Sequence, residues 1–159
     1  MRRSHFWLEE QLKFLLSKYF SDVKLSNPLE IRFGREAKYR FGSIKLYRPK
    51  KPKRISNFPS SLKLRWASKK VPQKSIITIT SMFTKPNVPV RVVHYTIAHE
   101  LCHYAHGFSS ANKRLFKFPH HGGVVNRELI GRGAQDLIIS YKKWLKTYRK
   151  KILASRIKI

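Results

Sequence analysis

The amino-acid sequence predicts an α+β fold, with helices packed on a small sheet, and three observations carry that expectation. Near the N-terminus Phe6, Leu8, Leu12, Leu15, Leu16, Tyr19 and Phe20 recur at helical spacing with polar and charged residues between them. From about residue 29 to 83 the period changes to the alternation of half-buried strands. Beyond Pro89 the helical period returns and continues, with interruptions, through Tyr148. Helix, strands, helix, helix is the element order of an α+β domain.

Taken in order, residues 5–20 form an amphipathic helix whose apolar face needs a partner. Ser21-Asp22 and Ser26-Asn27-Pro28 mark the connection that follows. Leu29-Glu30-Ile31-Arg32-Phe33 and Ser43-Ile44-Lys45-Leu46-Tyr47 alternate apolar with polar residues, punctuated by Gly34 and Gly42. Leu62-Lys63-Leu64-Arg65-Trp66 repeats the pattern, and Ser75 to Thr80 is rich in β-branched residues, so three to four strands are expected. The proline-broken Arg48-Pro49-Lys50-Lys51-Pro52-Lys53-Arg54 reads as an exposed basic loop, either a grip for phosphates or a solvated hairpin tip. Pro86 and Pro89 lead into a helix running to about His106, with Gly107 as its C-cap. A polar stretch over 108–119 separates it from a last helical region after Gly123. Gly131 and Gly133 interrupt that region, and Leu137, Ile138, Tyr141, Trp144, Leu145 and Tyr148 give it an apolar stripe.

Composition bounds the function. At 159 residues the chain is the size of one ordinary domain, and 42% apolar with 13% aromatic residues fits a folded protein. No apolar run approaches the roughly 18–20 residues that cross a bilayer. Glu9, Glu10, Gln11 and Lys13 interrupt what a signal peptide would need as its apolar stretch, so a retained helix and a cytoplasmic protein are expected. The single cysteine, Cys102, excludes an internal disulfide and a multi-cysteine zinc knuckle. Lys and Arg total 35 against 8 acidic residues, a formal net charge of +27. About 2–8 charges suffice for solubility. The excess attracts polyanions, nucleic acid first and an anionic membrane second, without naming a groove or a strand state.

One of those eight acids stands in His99-Glu100-Leu101-Cys102-His103. On a helix, Ile97, Leu101 and Tyr104 form one buried face and Ala98, Cys102 and Ala105 an adjoining one. His99 and His103 lie opposite, one turn and about 6 Å apart along the axis. That spacing lets two imidazoles reach one zinc ion at about 2.0–2.1 Å each. Glu100 projects beside them, placed as a general base toward a water on the metal and not as a ligand.

A catalytic zinc takes a third protein ligand and keeps one position open. His120 and His121 follow the end of the helix, where the chain has room to return, and Glu128 is the candidate for a site of two histidines and a carboxylate. His106 shares the helix but lies about 10 Å along the axis from His99, so three imidazoles from one straight helix would converge poorly. His94 precedes the motif by more than a turn and reads as a packed or surface histidine.

Tyr95-Thr96-Ile97-Ala98-His99-Glu100-Leu101-Cys102-His103, with the strand Ile76 to Thr80 before it and His121-Gly122 after it, resembles the SprT-like zinc metallopeptidases. More distantly it is similar to the YgjP-like group, whose domain end Tyr141-Lys142-Lys143-Trp144-Leu145 resembles. The resemblance covers about 75–150 and implies one zincin-like domain over 1–159 with a basic tail from about 150. It implies His99, His103 and His121 as ligands of one zinc ion, Glu100 as general base, and a protein or peptide substrate associated with DNA. The segment from His103 to His121 is longer and more basic than in the family, which keeps His120 open as a ligand by a one-residue shift. The alternative from a different class is a zinc-containing nucleic-acid-binding module with little or no proteolysis.

Overall fold

The computed structural model describes residues 1–48 and 73–157, and over these the chain adopts an α+β arrangement. Helix α1 (His5–Tyr19) starts at Ser4, whose Oγ accepts a hydrogen bond from the Trp7 N–H at 3.1 Å. This satisfies a donor that the first helical turn leaves without a partner. Leu8, Leu12 and Leu15, at i, i+4 and i+7, form the buried stripe.

Strands β1 (Leu29–Phe33), β2 (Gly42–Tyr47) and β3 (Lys74–Ile79) form a mixed sheet in the order β1-β3-β2. Strand β1 runs parallel to β3 with Ile31 opposite Ile77, and β2 runs antiparallel with Ile44 opposite the same residue. Burial alternates along the central strand: Ser75, Ile77 and Ile79 are buried and Lys74, Ile76 and Thr78 are not. One face of the sheet therefore meets the helices. The strand expected at 62–66 and the basic loop beyond Arg48 lie outside the described residues.

A 3₁₀ turn (Ser81–Thr84) leads toward helix α2 (Val90–Ala105). Arg3 ties that approach to the N-terminus, donating to the carbonyls of Phe83 at 3.0 Å and Val88 at 2.6 Å. Helix α2 departs from expectation in one respect. Its predicted core residues are buried, Ala105 only partly, but so are Glu100 and His103 outside the predicted core faces. Strand β2 and the segment after the helix cover them, so α2 is a central helix rather than a surface one.

Helix α2 stops where the sequence places its cap. Gly107 has φ +78, its N–H bonds to the Tyr104 carbonyl, and the Phe108 N–H bonds to the His103 carbonyl at 2.9 Å. This is a Schellman closure, and a Cβ on residue 107 would lie 2.5 Å from the Lys113 carbonyl oxygen. The same closure at Gly133 (φ +75) separates helix α3 (Val124–Gly131) from helix α4 (Gln135–Ile157).

Helix α4 lays Leu137 and Ile138 into the core, while Tyr141, Trp144, Leu145 and Tyr148 pack on it half-exposed. Phe41, from the loop before β2, joins Phe83 at 5.5 Å and Trp144 at 5.4 Å between ring centroids. Each fully buried Leu, Ile or Phe contributes about 1.5–3 kcal/mol, so this core, wrapped around α2, fixes the helix that carries the histidines. Among the described residues no helix is long and apolar enough to cross a membrane.

Candidate metal centre

Helix α2 sets the first two imidazoles. His99 and His103 sit on successive turns with ring centroids 4.8 Å apart and planes at 85°. The left-handed turn at Gly107 then sends the chain back, and after the exposed stretch 113–118 it delivers His120 to the same place. The His120 ring lies 5.2 Å from that of His99 and 4.6 Å from that of His103. One nitrogen from each of the three histidines falls within 4.8 Å of the others.

The return of the chain is held by polar contacts remote in sequence. Asn27, buried before β1, accepts from the Ala111 N–H at 2.9 Å and from the Tyr104 hydroxyl through its side-chain oxygen, while its amide donates to Ser75 Oγ at 2.8 Å. Ser75 Oγ in turn donates to the Ser109 carbonyl at 2.6 Å. The Tyr104 carbonyl receives Ser110 Oγ at 2.8 Å and the Asn112 amide at 3.1 Å. Asn27, Ser75 and Tyr104 thus pin 109–112 and so direct the segment that ends at His120. The sequence marked Asn27 only as a turn residue, and its partners lie about half the chain away.

The structure brings His120, not His121, to His99 and His103. His121 is exposed, with its ring 6.3 Å from Phe118. Adjacent side chains on this non-helical backbone diverge. His120 has φ −121, and Gly122 (φ 62) and Gly123 (φ 68) then swing the chain into α3. The family resemblance implies His121 as the third ligand, whereas the residue that completes the three-histidine group in the structure is its neighbour, His120.

Glu128 also stands apart from the cluster. It accepts from Arg132 Nε at 2.8 Å and faces His106 Nε2 at 3.5 Å. His106 is buried against the Phe116 ring at 4.8 Å, away from the three histidines. His94 packs on α1, sharing a hydrogen bond with Gln11 Oε1 at 2.7 Å.

The electrostatics suit a cation-binding group of imidazoles. Burial, reinforced by His120, pushes the His99 pKa down to about 4. Burial, together with the neighbouring His99, His120 and His106, pushes that of His103 down to about 3. Both rings are therefore neutral at neutral pH, and their lone pairs are available. His103 Nδ1 is buried without a hydrogen-bond partner, a cost the fold tolerates at a position where a ligand or bound group would satisfy the ring. Three imidazoles, two sharing a helix and one from a loop, fit a zinc ion that retains an open position.

Glu100 is buried beside this group. Desolvation raises its pKa to about 7, with Arg40 and the Ile44 backbone N–H pulling the other way. Gly42 makes room for it: a Cβ there would come within 2.9 Å of Glu100 Oε1 and 2.7 Å of Thr96 Cγ2. The glycine read from the sequence as strand punctuation is the position where β2 admits the carboxylate. A carboxyl titrating near neutrality can both accept and return a proton.

No protein-family model matches the chain, and no curated protein or solved structure matches it either. The reading of the centre therefore rests on its own geometry, which is that of a three-histidine group with a buried carboxyl beside it.

Proposed function

We propose that the chain is a zinc-dependent metallopeptidase of the SprT-like kind, cytoplasmic and acting on proteins associated with nucleic acid, DNA foremost. The observation that carries the reading is the convergence of His99, His103 and His120 beside the buried Glu100. These three imidazoles would hold the ion. When bound, zinc supplies Lewis-acid polarisation of a carbonyl and a lowered pKa for water. Glu100 takes the proton of the attacking water and passes it to the departing amine, a role suited to a carboxyl whose burial lifts it to about 7. His120, the exposed member, marks the side from which a peptide reaches the centre.

Association with nucleic acid is supported by the net charge of +27 and by where acids are missing. No Asp or Glu occurs between Glu100 and Glu128, so the segment leading to His120 carries Lys113, Arg114 and Lys117 without a local counter-charge. The test is Glu100→Gln assayed for bound zinc and for cleavage of casein and histone, with and without DNA. The variant should keep its zinc and lose cleavage by about 10²–10⁴-fold, the size of a general acid–base contribution. Turnover equal to the wild type would contradict the mechanism.

A further inference from the structure

A second feature lies beyond the three-histidine group, along the C-terminal half of α4. The loop before β2 and the C-terminal half of α4 enclose a groove of about 370 Å³, whose lining includes Tyr39, Phe41, Leu145 and Tyr148 together with Lys38 and Arg149. Its lining among the described residues contains two cations and no carboxylate. The walls are tied to each other. Tyr148 donates its hydroxyl hydrogen to the Lys38 carbonyl at 3.1 Å and stacks on Trp144, with centroids 4.7 Å apart and planes at 13°. Phe41 meets the edge of Tyr148 at 5.7 Å. Tyr39 is 66% exposed at the mouth.

From the groove a basic track continues. Lys142, Lys143, Lys146, Lys150 and Lys151 are all exposed on α4. A line of rings joins the groove to the metal centre. Tyr141, which also lines it, stacks on Tyr95 at 4.1 Å, and Tyr95 lies 6.0 Å from His99.

We infer that this groove receives an unpaired nucleobase of a single-stranded nucleic acid, with Lys38, Arg149 and the α4 lysines on its phosphates. The charge selects a polyanion, and the aromatic walls select one with flat rings. Bases in a duplex are already stacked and hydrogen-bonded, so a single strand is the form that enters a recessed slot. An anionic membrane would meet the lysines and the exposed Leu153 at the groove, but the four rings of Tyr39, Phe41, Tyr141 and Tyr148 in the lining favour a flat aromatic ligand. The inference deepens the nucleic-acid half of the proposed function and is independent of its proteolytic half.

The experiment measures anisotropy of labelled strands of about 12 nucleotides, a length within the usual site size of single-strand-binding folds. The zinc-loaded full chain is titrated with oligothymidylate, oligouridylate, a duplex and an abasic strand of equal charge. Anionic vesicles are titrated separately. Lys38→Glu with Arg149→Glu is compared with Lys24→Glu plus Arg32→Glu, an exposed pair on the α1–β1 side with the same charge change. Tyr39→Ala tests stacking alone.

The base-bearing strands should bind at least about fivefold more tightly than the abasic one, and Tyr39→Ala should remove that advantage. The groove pair should lose about tenfold more affinity than the control pair, whether DNA or RNA is the tighter arm. Equal binding of abasic and base-bearing strands would overturn the inference. So would equal losses in the two charge pairs, a preference for duplex, or a loss confined to vesicles. Strand binding is read without any cleavage step, so a failed cleavage assay leaves this result readable.

Discussion

Helix α2 and the turn after it carry histidines into two different surroundings. His99 and His103 meet His120 and a buried carboxyl, Glu100, that no cation approaches within ion-pairing distance among the described residues. His106 meets Glu128, but there Arg132 bonds to Glu128 and to Asp22, and its guanidinium also donates to the Tyr19 carbonyl at 2.8 Å. Both regions hold imidazole and carboxylate, yet only one leaves its donors converging on shared space. Spacing on a helix therefore does not make a metal centre. Convergence is what offers one: His103 and His106 both have buried ring nitrogens without hydrogen-bond partners, but only His103 shares its space with two further imidazoles, while His106 faces an arginine-braced carboxylate.

That contrast breaks most sharply under substitution of the two histidines. His103→Ala should weaken zinc binding by more than about a hundredfold, since even losing an outer-shell partner costs about 10–100-fold. His106→Ala should leave zinc stoichiometry unchanged while lowering the thermal midpoint, because it removes a buried side chain. Equal zinc loss in both variants, measured by metal analysis after dialysis, would erase the distinction.

On the braced side, Arg132→Met should cost about 1–2 kcal/mol in urea unfolding, because the partly buried Glu128 loses its partner, while the pair with the exposed Asp22 adds little. Zinc content should not change. Asn27→Ala should cost about 1–3 kcal/mol by leaving the Ala111 N–H and Ser75 Oγ without their partner. Unlike Arg132→Met, it should also weaken zinc binding, since the loop it pins delivers His120.

The smallest effect concerns pH. His99, His103 and His94 all have pKa values depressed by burial, to about 4, 3 and 4. A depressed histidine contributes stability that is present above its unfolded pKa, about 6.5, and lost as pH falls toward the folded value. The zinc-free protein should therefore lose stability between about pH 6.5 and 4, and His94→Gln should make the decline shallower without touching the zinc site. A flat profile over that window, followed by thermal melts, would contradict the burial of these rings.

The parts of the molecule legible in the sequence are those fixed by local periodicity. The spacing of Leu8, Leu12 and Leu15 marked α1, Gly107 marked the end of α2, and the separation of His99 from His103 set them on one helical side. The sheet order β1-β3-β2 was not legible, because a parallel pair with a later strand between β1 and β2 is decided by tertiary packing and not by alternation. Nor was the choice between His120 and His121. Two adjacent histidines look alike in sequence, and the choice falls to a loop path set by Asn27, Ser75 and Tyr104. The burial of Glu100 was hidden for a similar reason, since the space it occupies is created by the absent side chain of Gly42.

The imidazoles of His99, His103 and His120 would together hold one metal ion. Zinc analysis of purified wild type, His120→Ala and His121→Ala tests this most directly. One zinc per chain is expected in the wild type and in His121→Ala, and loss of zinc in His120→Ala. Zinc retained by His120→Ala and lost by His121→Ala would contradict it.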